Sequence, residues 1–225
     1  SNQSTQAIAI GYAAGQNNQG TQAIAIGNAA GATKQHKSAV AIGEESGRYS
    51  QGTYCVAIGY YAGRSDQKEQ AVSIGYEAGK DSQGIYSIGI GRFAGRERQG
   101  NQSVAIGYES GNIYQKFNCI AIGRYAGGYT QGPQSIAIGN QAGYDSQKSL
   151  SIAIGNFAGR NAQESQCIAI GNHAGFNLQK RDSIAIGYQA GQSNQGTEAI
   201  AIGFNAGAST QGQQSVAIGY GAGYS

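Results

Sequence analysis

The chain has 225 residues, of which 38 are glycine and one is proline (Pro133), with no methionine or tryptophan and only 12% charged residues. That balance excludes an ordinary helical globule and points to many short strands joined by tight turns. A net charge of +3 is too small for the basic face that nucleic-acid binding needs, and no apolar run approaches the ~18 residues that would insert this segment into a membrane.

The opening SNQSTQAIAI lacks the charged and long apolar stretches of a signal peptide. Any export signal or anchor is expected outside this segment. From Ala7 onward a 16-residue unit begins and recurs fourteen times: AIAIGYAAGQNNQGTQ (7–22), AIAIGNAAGATKQHKS (23–38), AVAIGEESGRYSQGTY (39–54), and so on to SVAIGYGAGYS (215–225). Such self-similarity is the mark of a stacked repeat architecture. Counting from Ala7, position four is isoleucine in every copy (Ile10, Ile26, Ile42 onward) and position two is isoleucine or valine. Positions five and nine are glycine throughout, beginning with Gly11 and Gly15, and position eight is alanine or serine. Position thirteen is glutamine from Gln19, Gln35 and Gln51 to Gln211.

Sixteen residues are too few for two helices but enough for two short strands and two turns. The repeat therefore predicts an all-β parallel solenoid whose coils stack at ~4.8 Å, giving a rod roughly 65–70 Å long over 1–225 as a single repeat domain. The first tetrad is the strand, with side chains alternating between two faces, and the Gly-x-x-Ala-Gly word is the turn. Stacked glutamines are expected to bond amide to amide along the rod; the alternative is a solvent-facing turn residue. Position fourteen, often glycine or lysine, is read as exposed.

Both strand faces are apolar, Ile/Val at positions two and four on one side and Ala, Ser, Cys or Gly at one and three on the other. Strands of that kind are normally buried on both sides. Positions ten to twelve are mostly polar and offer no second apolar ladder, so the spacing predicts side-by-side association of rods; a monomer with one flat exposed face is the competing reading.

The words SVAIGYES (103–110), SIAIGNQA (135–142) and SIAIGNFA (151–158) resemble the YadA-like head repeats of the trimeric autotransporter adhesins. The resemblance implies a left-handed parallel β-roll, a homotrimer, and attachment to host matrix protein or cell-surface glycan at a bacterial outer surface. Similar repeats occur in phage and large-virus fibre proteins. The 16-residue coil is a residue or two longer than the usual unit, which leaves a virion or tail-fibre shaft as an alternative.

Along the chain, little suggests catalysis. His36 and His173 occupy different coil positions nine coils apart and cannot share a metal. Glu44 and Glu45 are adjacent turn carboxylates. Cys55, Cys119 and Cys167 all occupy position one, roughly 14–19 Å from each other at the coil spacing and beyond disulfide reach. The stretch from Gly89 to Gly95 superficially looks like a nucleotide loop, but it is the ordinary repeat and no helix follows. No nucleophile, cofactor site or metal site is predicted. An ice-binding solenoid would want regular threonine columns, which do not occur, and a depolymerising tail spike would want an acidic pair in a groove.

The variable turn positions carry the candidate binding residues. Arg48, Arg64, Lys80 and Arg96 stand at position ten of four consecutive coils, bordered at position seven by Glu45, Glu77 and Glu109. The bland reading is a self-neutralising surface. The sharper one is that this ladder, with Tyr60, Tyr61, Tyr76 and Phe93, binds an acidic glycan or partner by charge and stacking together. The chain begins and ends inside the repeat pattern, which suggests a longer parent protein.

Overall fold

The computed structural model describes residues 3–224, and no helix occurs among them. The fold is an all-β parallel solenoid, as the period predicts, and the chain divides into two compact units, Ser1–Phe117 and Asn118–Ser225.

In the first unit the apolar tetrads form one ladder of three-residue strands: Ile8–Ile10, Ile24–Ile26, Val40–Ile42, Val56–Ile58, Val72–Ile74, Ile88–Ile90 and Val104–Ile106. Each pairs in parallel with the strand sixteen residues away, so that Ile10 faces Ile26 and Ile26 faces Ile42. A second ladder ends on the glutamines, running from Asn17–Gln19 and Thr33–Gln35 to Glu97–Gln99. The second unit repeats this plan, with Ile120–Ile122 to Val216–Ile218 in one ladder and Thr130–Gln131 to Ser193–Gln195 in the other.

The interior differs from the one that the apolar tetrad first suggests. Alanine, serine and cysteine at positions one, three and eight point inward and are almost wholly buried, whereas the Ile and Val side chains at positions two and four point outward and stay half-buried or exposed. Two three-residue strands enclose a space too narrow for branched residues on the inner face of the first strand. The width is filled from the opposite side by glutamine, and twelve of the glutamines from Gln19 to Gln195 are the largest fully buried side chains. The small-residue face is therefore spent on the core, and only the branched face remains for association.

Each buried amide is used repeatedly. Gln35 Nε2 donates to the Ile24 carbonyl in its own coil at 2.7 Å, to the Ala39 carbonyl of the next at 3.2 Å, and to Gln51 Oε1 at 3.1 Å. The side-chain donor and the backbone acceptors that would be costly to bury alone are thereby satisfied, while Oε1 of Gln19, Gln35, Gln147 and Gln195 stays without a hydrogen-bond partner among the described residues.

Stacking also explains the turns. At position five the backbone lies near φ +125°, and a Cβ on Gly59 would come within 2.5 Å of the Gly75 carbonyl oxygen in the next coil. Positions seven, twelve and sixteen adopt the left-handed region without glycine, for example Tyr61, Asp66 and Gln70 at φ 56°, 55° and 55°. Their backbone amides donate to the preceding coil, as Tyr61 N–H does to the Glu44 carbonyl at 3.0 Å, and this pairing offsets a conformation that L-residues otherwise avoid.

Candidate binding face

The left-handed residue at position seven carries its side chain outward between position six of the same turn and position ten after the second glycine. In the first unit this brings the predicted aromatic residues into one column. Tyr60 stacks on Tyr61 with ring centroids 4.0 Å apart and on Tyr76 at 5.0 Å. Phe93 meets Tyr76 edge-on at 5.4 Å, and Tyr108 continues the column 6.5 Å from Phe93. The Tyr61 hydroxyl hydrogen-bonded beside it, together with desolvation, pushes the Tyr60 phenol up to about 12.

The four position-ten cations gather around two carboxylates. Glu45 accepts from Arg48 Nη1 at 2.5 Å and from Arg64 Nε at 2.7 Å. Glu77 receives Lys80 at 3.1 Å and Arg96 at 3.0 Å, and Arg96 has Glu97 as a further neighbour at 3.6 Å. Desolvation alone would raise the Glu45 carboxyl, but the hydrogen bonds and charges of Arg48 and Arg64 outweigh it and hold the group below its ordinary value. The same cations lie against ring faces: Arg64 is 4.9 Å from the Tyr61 centroid and Arg96 is 5.3 Å from that of Phe93. Glu109 instead accepts from Asn112 at 3.3 Å.

Sequence reading passed over Arg92, hidden in the Gly89–Gly95 word set aside as ordinary repeat. Its guanidinium lies 5.5, 4.6 and 5.6 Å from the centroids of Tyr76, Phe93 and Tyr108. Among the described residues it makes no ion pair. A guanidinium covered by rings keeps its N–H donors pointing outward in its own plane, the geometry that grips a carboxylate or sulfate. The signal available beforehand was its place at position six, between Tyr76 and Tyr108 one coil away on either side.

The second large exposed feature is the apolar stripe of positions two and four. In the first unit it runs from Ile8 and Ile10 to Val104 and Ile106, half-buried along its length and exposed at Ile8, Ile10 and Ile106. The cysteines are buried. Among the described residues no group of three or more His, Cys, Asp or Glu side chains comes together, and no helix is long and apolar enough to cross a membrane.

The family model of the YadA head domain repeat matches the chain twice, over residues 19–46 and 195–222. Both matches begin on a position-thirteen glutamine and take in one full strand-and-turn word. No curated protein and no solved structure matches the chain.

Proposed function

We propose, from the two YadA head domain repeats at residues 19–46 and 195–222, that this chain is a non-catalytic segment of an adhesin-like surface fibre. It acts as a homotrimer at a bacterial outer surface. The observation that carries this reading is the outward apolar stripe. Two β-branched side chains per coil stay no more than half-buried over successive coils, while the inward positions are filled without them. Burying such a stripe against two further copies supplies the hydrophobic stabilisation that a core of alanine and glutamine lacks.

Attachment then falls to side chains pointing away from the stripe. We place the contact with host matrix or glycan on the aromatic column Tyr60, Tyr61, Tyr76 and Phe93, with Arg92 as the free anion hook. Arg48, Arg64, Lys80 and Arg96 form its basic border. Rings offer their faces to sugar C–H groups, and the guanidinium orients an acidic substituent.

Molar mass by light scattering tests the assembly: the parent chain is expected at three chains, and Ile58→Asp with Ile74→Asp at one. A single-chain mass for the parent removes the fibre reading. A glycan and matrix array tests the contact face. Arg92→Ala is expected to weaken retention about tenfold, more than Arg64→Ala with Arg96→Ala, and equal retention by all variants removes the assignment.

A further inference from the structure

A separate groove lies on the first unit, over the line of position thirteen and away from the aromatic column. It is flanked by the position-twelve residues Asn18, Lys34 and Ser50 and by Gly20, His36 and Lys37 at positions fourteen and fifteen, and it is an open groove of about 650 Å³. The volume is that of a ligand site and not of a single ion.

Its chemistry is one-sided. Lys34, His36 and Lys37 are exposed, and none of them enters an ion pair among the described residues. The lining has no Asp or Glu, and its remaining side chains are hydroxyls and amides. The contrast with the position-ten ladder is sharp, because there every cation has a carboxylate within 3.1 Å. No Phe, Tyr or Trp lines the groove, so it lacks the stacking platform by which single-stranded nucleic acid is held.

We infer that this groove binds a linear sulfated glycan. Sulfates along the chain meet Lys34 on one side and Lys37 with His36 on the other, while Asn18 and Ser50 hydrogen-bond to sulfate oxygens and sugar hydroxyls. Lysines on both sides, three residues apart in sequence, match a ligand of high charge density better than one with a single carboxylate per disaccharide. The inference does not depend on the adhesin reading, since it rests on another face.

The test is titration of the full chain with a heparin octasaccharide, a hyaluronan octasaccharide and a dT oligonucleotide of equal length. Heparin is expected to bind tightest, with an affinity that falls as salt rises; K34Q with K37Q is expected to lose about tenfold or more and to flatten the salt dependence. Ser50→Glu, which sets a carboxylate in the groove, is expected to lose a similar factor. Lys148→Gln, at an exposed lysine of the second unit that does not line the groove, is the control and is expected to keep parental affinity. All three carry exposed or half-exposed substitutions, and unchanged thermal melting verifies their fold. The inference is overturned if the parent does not bind heparin, if K34Q with K37Q and Ser50→Glu both bind it like the parent, if Lys148→Gln loses as much as they do, or if hyaluronan or dT binds as tightly.

Discussion

Gln51 donates its side-chain amide to Oε1 of Gln67 one coil on, at 3.2 Å, and neither side chain reaches water. The same amide holds the Val40 carbonyl at 2.8 Å, so one nitrogen joins the two strands of its own coil and the cores of two coils. A polar residue is therefore the central packing element of this fold.

Replacing Gln67 by leucine tests that role. The variant keeps the volume but removes the donor to the Val56 carbonyl, the Ala71 carbonyl and Gln83 Oε1, now at 3.0, 3.2 and 2.9 Å. Buried acceptors left without their donor cost roughly 1–3 kcal/mol. Urea unfolding is expected to show that loss, and an unchanged midpoint would mean that hydrophobic filling of the interior suffices.

Gly59→Ala and Gly219→Ala separate two reasons for glycine at position five. Both have positive φ, 129° and 120°, but a Cβ at Gly59 would strike the Gly75 carbonyl at 2.5 Å, whereas Gly219 has nothing within 4 Å. Backbone strain alone costs on the order of 1–3 kcal/mol. Gly219→Ala is expected to lose about that much in thermal unfolding, and Gly59→Ala clearly more; equal losses would place the whole requirement in the dihedral angle.

Burial pushes the Cys55 thiol up to about 11 from an ordinary value of 9.0. The folded chain holds this proton more tightly than the unfolded chain, so the stabilising contribution is complete below about 9 and is lost as pH rises toward about 11. The folded protein is expected to resist alkylation at pH 8 and to label fully in urea. Rapid labelling of the native chain would show that position one opens to solvent.

Glu45→Gln with Glu77→Gln probes the basic ladder. Glu45 titrates below its ordinary value, so its pairing contributes above that value and is lost as pH falls through the lowered one. Partly exposed pairs of this kind are worth up to about 1 kcal/mol, and stability at pH 7 is expected to change by no more than that. Binding responds in the opposite direction. With the carboxylates neutral, Arg48, Arg64 and Lys80 are released and Arg96 keeps only Glu97, and retention on anionic glycans is expected to rise; no rise would confine recognition to Arg92 and the rings.

Much of this molecule can be read from the period alone. Invariant Ile10, Ile26 and Ile42 at intervals of sixteen require equivalent residues to stack, and the stacking of Tyr60 on Tyr76 follows from the same interval, with Phe93 one position further along the next turn. The glycine turns were legible because no other residue is used at those positions. The left-handed backbone at Tyr61, Asp66 and Gln70 was not legible, because the residues there share no type and the pairing that holds them comes from the coil before.

The 16-residue spacing by itself determined an all-β stack with parallel ladders, since only coils of equal length keep every backbone donor opposite its acceptor. Only the tertiary structure decided which side of the strand faces inward and which cations remain unpaired. An alternation of alanine with isoleucine is apolar on both sides and carries no sign of direction. It is the narrow bore of the coil that admits Ala25 and Gln35 and turns Ile26 outward, and it is the turn that brings Arg48 to Glu45 and the height of one coil that adds Arg64, while Arg92 stays on its rings.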